Sequence, residues 1–278
     1  MRPARPRGAL GFFLPGAIRH WRRISPHLAF DRTDGAVVAV RLRGAPWIET
    51  GNLRDAVTAP ERLVIVGSGP SIRDMDLAAL PSRTCVLLNG AISLMPAVRP
   101  FALVIEDRRF VDRHWDELRA KLPGVPVLVA SGEVLSAIAE RAPDLLVGAD
   151  APTVLFNDNL AKPVGQRRRD KDVRTNFSLA PHTGSKRGGS VAVTAMQWAV
   201  HWRAETIGFA GVELWNANAP RFYERDGDVA RSGIVRAQAR ILEHIAAGRD
   251  EAARRGTNVV NHSPGSALAE IGIPFAPL

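Results

Sequence analysis

The residues with the plainest chemical meaning are Val64-Ile65-Val66-Gly67-Ser68-Gly69-Pro70-Ser71, an apolar run entering a Gly-x-Gly turn and then a helix-like stretch with Asp74 in its first turn. Glycines at such a turn let backbone N–H groups approach an anion, and a helix N-terminus adds partial positive charge, so a phosphate is expected here. The third glycine of the dinucleotide fingerprint is missing. Ile72 stands three residues after Gly69, and Asn89 rather than an acid ends the next apolar run, which disfavours NAD. A second anion candidate is Gly184-Ser185-Lys186-Arg187-Gly188-Gly189-Ser190, which enters an apolar helix without Walker spacing.

Other apolar runs also end in polar residues, Asn89-Gly90 after 85–88 and Glu106-Asp107-Arg108-Arg109 after 102–105. In an open parallel sheet the ligand crevice lies beyond the carboxyl ends of the strands, so Ser68, Asn89, Glu106 and Asp107 are expected to converge. Asn89 and Asp107 would equally serve as helix caps.

The elements that must position these groups are short apolar runs at 63–66, 85–88, 102–105, 125–130, 206–209 and 258–261. Between them, apolar residues three or four apart mark helices at 72–80, 111–122, 132–141, 190–203 and 235–255. Buried parallel strands joined by crossover helices give this alternation, so the fold class is α/β with a Rossmann-like, doubly wound, mostly parallel sheet. It should occupy 61–278, with polar, breaker-rich lid loops at 157–188 and 216–232 and a small basic appendage over 1–60.

The 278 residues are 46% hydrophobic and 23% charged, which excludes a disordered or fibrous chain. Of the net charge of +9, residues 1–50 carry +6, from nine arginines against Asp31, Asp34 and Glu49. The imbalance suits acidic partners but lies mostly outside the main domain, which argues against a nucleic-acid channel there. Phe12, Phe13, Leu14, Trp21 and Ile24, with helical spacing around 17–24, would let the basic arm lie on an anionic membrane; the plainer alternative is an arm packed on its own domain. A single cysteine, Cys85, excludes an internal disulfide and a cysteine metal cluster. No apolar stretch is long enough to span a bilayer, and 11–16 is too short and proline-broken for a signal core, so a cytoplasmic location is expected.

Several of these pieces together resemble bacterial glycosyltransferase family 42, the sialyltransferase-like enzymes. They are the Val-Gly-Ser-Gly-Pro-Ser opening with Leu77 and Leu80-Pro81, the strand end Leu88-Asn89, the Gly-Ser helix leading to Ile207-Gly208-Phe209-Ala210-Gly211-Val212-Glu213-Leu214-Trp215, and the ending His262-Ser263-Pro264-Gly265-Ser266. The likeness covers 62–278 and is indistinct over 110–180.

The resemblance implies a metal-independent, inverting glycosyltransferase that uses a CMP-activated nonulosonic or ulosonic acid and no further cofactor. Its acceptor would be a surface glycan or glycolipid of polysaccharide or lipopolysaccharide assembly. By the same resemblance Gly67, Ser68, Gly69, Pro70, Ser71 and Asn89 hold the nucleotide with Gly189 or Ser190 and Gly211, while Ser263, Pro264 and Ser266 close over nucleobase and ribose. Ser68 stands where the family commonly has asparagine, and Glu106 stands at a usual amide. The family's two lid tyrosines fall on Trp215 and on Arg221 to Tyr223, the latter being the one tyrosine of the chain. A lid histidine is the family's general base; none lies between Trp202 and Glu243, so His244 is nearest, in competition with His182, Glu106, Asp107 and Asp226.

Two other classes remain open at this point. One is a phosphate-handling enzyme similar to the hydroxymethylpterin pyrophosphokinase-like proteins, Mg- and ATP-dependent, with Glu106 and Asp107 on the metal. The other is a non-catalytic anion- or nucleic-acid-binding protein.

Overall fold

The computed structural model describes residues 24–50, 59–160, 177–215, 219–224 and 233–278. The expected helix at 17–24, all but its last residue, Asp226, half of the lid loop 157–188 and most of the lid loop 216–232 lie outside the described residues.

Seven parallel strands form the central sheet, in the order β12-β11-β4-β5-β6-β7-β8. They are β4 (Arg62–Val66), β5 (Cys85–Leu88), β6 (Pro100–Ile105), β7 (Val127–Ala130), β8 (Thr153–Phe156), β11 (Thr206–Ala210) and β12 (Asn258–Asn261). Most of their residues are buried on both faces, which is why they read as unbroken apolar runs. On one face Leu63, Ile65, Val86, Val104 and Phe209 pack under α4 (Val191–His201) and α5 (Ile234–Arg254). On the other, Val64, Val66, Leu87, Leu103 and Ile105 pack under α1 (Arg108–Arg113), α2 (Trp115–Lys121) and α3 (Gly132–Arg141). The chain is thus the expected α/β, doubly wound, Rossmann-like sheet.

Two helices depart from expectation. The stretch 72–80 forms two short 3₁₀ turns, Pro70–Asp74 and Leu77–Ala79, because the Asp76 carboxylate accepts from the Ala79 N–H and starts a new turn instead of continuing the first. The stretch 111–122 is broken at His114, which ends α1 and begins α2.

Ahead of the sheet, β1 (Leu28–Thr33), β2 (Ala36–Leu42) and β3 (Ala45–Glu49) form an antiparallel meander, of which the sequence predicts only β2, from Val and Arg alternating with small residues over 36–42. Both hairpins use two-residue loops with positive φ throughout, Asp34-Gly35 and Arg43-Gly44, the geometry that matches strand twist. The meander is stitched to the sheet rather than held in solvent. Trp47 Nε1 donates to the Pro143 carbonyl at 3.0 Å, the Phe30 and Phe156 rings lie 4.9 Å apart, and Thr50 bridges Val154 on the edge strand β8. Ile24 and Phe30 press on Gly132, where a β-carbon would stand 2.8 Å from Ile24 Cδ1. Two-residue strands β9 (Asn159–Leu160) and β10 (Ser185–Lys186) pair in parallel beside α4. Among the described residues no helix is long and apolar enough to cross a membrane.

Candidate functional site

The chain leaves β4 toward β5 and leaves β11 in the opposite direction, toward β12, so the connections after these two adjacent strands diverge. A crevice opens at such a reversal. Here it is a cleft of about 650 Å³ lined by 67–70, 88–89, 106–107, 187–192, 211–214, 219, 221, 223–224 and 233–234, with Arg109, Phe110, Arg113, His114, Glu133 and Arg240 completing the wall.

At its centre the glycine turn behaves differently from the sequence expectation. Gly67 N–H donates to the Ala210 carbonyl and Gly69 N–H to the Gly211 carbonyl, at 2.8 and 2.9 Å, so both point at β11 and its exit. Ser71 N–H donates to Glu213 Oε1 at 2.9 Å. Glu213 is 3% exposed, and its carboxylate sits where an incoming anion would meet these groups. The glycines are required for close approach instead: a β-carbon on Gly67 would stand 2.3 Å from the Gly211 oxygen, and one on Gly69 closer still to Glu213 Oε2. The turn is therefore a junction between β4 and β11 in which the N–H groups of Gly67, Gly69 and Ser71 are already used, and the cleft there offers carboxylate and hydroxyl oxygens.

Tyr223 closes this end. Its ring lies on Gly90, where a β-carbon would overlap the phenol, and its hydroxyl hydrogen-bonds with Ser68 and Arg221. Burial pushes the phenol up from its ordinary value, so Tyr223 is a neutral donor at physiological pH. The segment carrying it is held from outside by Arg73, which donates to the carbonyls of Arg221, Phe222 and Glu224. Arg221 pairs with Glu224.

Asn89 enters the cleft with φ +46°, and its Oδ1 is buried without a hydrogen-bond partner. Glu106 lines the wall, but its Oε1 accepts from Asn157 Nδ2 and Thr194 Oγ1, each at 2.7 Å, which ties β6 to β8 and α4. Asp107 caps α1, accepting from the Arg109 N–H, and also receives the Arg109 guanidinium. The capping role is thus what the structure shows for Asp107, and neither carboxylate is presented as one of a metal-binding pair. No cluster of three metal-ligating side chains occurs among the described residues.

Cationic character gathers at the start of α4. Gly188, Gly189 and Ser190 line the cleft, Gly189 at φ +95°, and Ser190 Oγ caps the helix by accepting from Ala192 N–H. Arg240, from α5, lies so close to Gly189 that a β-carbon there would stand 2.4 Å from Nη2, and its Nε donates to the Gly188 carbonyl. Arg187 joins it in the lining. An eleven-residue helix start beside two guanidinium groups favours an anion more than the glycine turn does.

Of the candidate residues, the structure brings Gly67, Ser68, Gly69, Pro70, Asn89, Glu106, Gly189, Ser190, Gly211, Arg221 and Tyr223 into this one cleft. Ser71, Ser263, Pro264 and Ser266 do not line it. Ser71 Oγ meets Ser263 Oγ at 3.1 Å; Ser263 Oγ accepts from Gly211 N–H, and Ser266 Oγ donates to the Val212 carbonyl. These hydroxyls brace the exit of β11 from behind, while Pro264 is exposed. Trp215 is 57% exposed, its Nε1 donating to the Gly265 carbonyl outside the lining. His244 is buried in α5, outside the lining, where Nδ1–H donates to the Arg240 carbonyl one turn back. His182 packs its ring 4.9 Å from that of His201, again outside the cleft.

Sequence reasoning passed over His114, Arg113 and Arg240. His114 and Arg113 follow the polar end of β6 by one helical turn, and a wall formed by that turn was the available signal. Burial lowers the His114 pKa, with Arg113 and Arg221 acting in the same direction and Glu117 and Glu224 opposing.

No protein-family model matches the chain, and no curated protein matches it significantly. Among solved structures it is similar to the monofunctional α-2,3-sialyltransferase Cst-I from Campylobacter jejuni (14% identity, 82% of this chain and 84% of that chain, TM-score 0.49). It is also similar to the sialyltransferase CstII from Campylobacter jejuni in complex with cytidine-5'-monophosphate (12%, 78% and 85%, TM-score 0.45). A third similarity is to the MAf glycosyltransferase from Magnetospirillum magneticum (16%, TM-score 0.45), where 80% of this chain corresponds to only 34% of that one. At these identities the likeness concerns the fold.

Proposed function

We propose that the chain is a glycosyltransferase that moves a nonulosonic or ulosonic acid from a CMP-activated donor to a hydroxyl of a surface glycan or glycolipid, with inversion and without a metal. The observation that carries this reading is the cleft at the strand-order reversal. Its lining combines hydroxyl, amide and carboxylate groups (Ser68, Asn89, Glu213 and Tyr223) with the start of α4 and the guanidinium groups of Arg187, Arg221 and Arg240. A nucleotide sugar offers partners for both kinds of group, a hydroxyl-rich nucleoside and sugar joined through a phosphate.

In this reading Asn89 Oδ1 and Glu213 accept hydrogen bonds from nucleoside hydroxyl or amine groups. Arg187, Arg240 and the start of α4 hold the phosphate, and Tyr223 with Arg221 stabilises charge as the phosphate departs. The phosphate is thereby assigned to α4, not to the glycine turn. The enzyme would work in the cytoplasm, and the arginine-rich residues 1–30 suit an anionic lipid-linked acceptor at the inner membrane surface.

Calorimetric titration with CMP and CMP-sugars, with and without EDTA, tests the reading. Heat with cytidine nucleotides that EDTA leaves unchanged is expected. No heat with any cytidine nucleotide, or binding of ATP that needs magnesium, rejects it.

A further inference from the structure

We infer that His114, from the wall between α1 and α2, is the proton acceptor of this cleft and takes the hydrogen of the attacking acceptor hydroxyl at Nε2. The role rests on the glycosyl-transfer reading and places the base on the β6 side of the cleft, not in the lid or on α5.

Position comes first. His114 is the one histidine of the cleft lining among the described residues, and it lines the same cleft as Tyr223. Its ring is held, not free to swing: it stacks on Phe110 with centroids 4.8 Å apart and 23° between planes, and meets the Tyr223 ring edge-on at 5.8 Å. Nδ1 lies 4.0 Å from Glu117 Oε2, and Glu117 is itself held by Lys121 at 2.8 Å. A carboxylate on the Nδ1 side favours the proton there and leaves the Nε2 lone pair as the basic site. The break between α1 and α2, unexpected from sequence, is what turns the side chain into the wall.

The competing bases are otherwise engaged. Glu106 accepts from Asn157 and Thr194, Asp107 from Arg109, Glu213 from Ser71 N–H and Glu224 from Arg221; Glu133 lies in the field of Arg109. The charged groups facing His114 are Arg113 on α1, Glu117 on α2, and Arg221 and Glu224 on the segment with Tyr223; with burial, their balance leaves the imidazole neutral at physiological pH.

In the step proposed, the acceptor oxygen forms its bond to the anomeric carbon as the bond from that carbon to the phosphate oxygen breaks. The bonding pair leaves with CMP, the hydroxyl proton passes to His114 Nε2, and the imidazolium later releases it to solvent.

The test compares wild type and His114→Asn by calorimetry with CMP and by CMP release in the presence of acceptor, using a mixture of CMP-N-acetylneuraminate and CMP-activated ulosonic acid. Both proteins should bind CMP alike, while turnover of the variant falls by roughly 10²–10⁴-fold. The wild-type rate should fall with slope one below a pKa lying under the ordinary histidine value of 6.5, a limb the variant lacks. CMP binding by both proteins with equal turnover overturns the assignment alone, as does loss of CMP binding together with turnover. If the variant does not fold, the wild-type profile decides: an acid limb in the carboxylate range overturns His114. Absence of CMP binding or of any turnover by wild type overturns the glycosyl-transfer reading, and this role with it.

Discussion

The Glu213 carboxylate rests against the Cα of Gly69 so closely that no side chain fits between them, while its Oε1 receives the Ser71 N–H. Two segments 142 residues apart meet in that hydrogen bond, and it decides the character of the turn. A motif with the outline of a phosphate loop is filled by the protein's own carboxylate, so phosphate and turn would repel each other.

Gly69→Ala should therefore be destabilising by about 1–3 kcal/mol, the cost of overpacking a tight site. Thermal denaturation checks this. Because the clash is with one side chain, Gly69→Ala combined with Glu213→Ala should recover part of the loss relative to the sum of the two single substitutions, whereas additive effects would place the strain elsewhere.

Tyr223→Phe keeps the ring on Gly90 and removes the hydroxyl shared with Ser68 and Arg221. Folding stability should change by no more than about 1 kcal/mol, while turnover falls. Since burial raises the phenol pKa, no basic limb from Tyr223 should appear in the pH–rate profile below its ordinary value of 10.0.

Arg240→Ala removes a guanidinium beside Gly189 and a hydrogen bond to the Gly188 carbonyl. CMP affinity should drop by roughly 10- to 100-fold, the worth of one or two charge-assisted hydrogen bonds, whereas cytidine affinity should be little altered. Calorimetry with the two ligands separates phosphate recognition from nucleoside recognition.

His262 is 4% exposed, with Nδ1–H donating to the Ala276 carbonyl, and burial lowers its pKa. The unfolded chain then binds a proton more readily than the folded one, so its contribution is fully present above the ordinary value of 6.5 and is lost as pH falls toward the lowered folded value. Urea denaturation should show stability declining from pH 7.5 to 5, with a smaller decline in His262→Gln. Burial also lowers the His114 pKa, so that side chain adds to the decline with the same sign and will persist in the variant.

Much of the scaffold was legible because its signals are local. Strands β4, β5, β6, β7 and β11 are mostly apolar on both faces and β12 is marked by Val259-Val260, so each is visible without knowing its neighbour. The edge strand β8 escaped because it runs into a polar, breaker-rich stretch, and β1 and β3 because half of each faces solvent. Their signal lay in Asp34-Gly35 and Arg43-Gly44, each a two-residue hairpin turn.

At the site, sequence order alone determined that Ser68, Asn89, Glu106 and Asp107 would gather, since polar residues at the ends of parallel strands in one sheet have only one edge to occupy, whereas Gly189 and Ser190 joined them only through the family resemblance. Whether a carboxylate or an open N–H group stands at each point was decided by tertiary structure. Glu213 reaches Ser71, Arg240 reaches Gly188, and His114 reaches Tyr223 across long stretches of chain. Apolar periodicity records which face of an element is buried, whereas the partner of a polar group depends on how distant segments pack, and no local pattern encodes that.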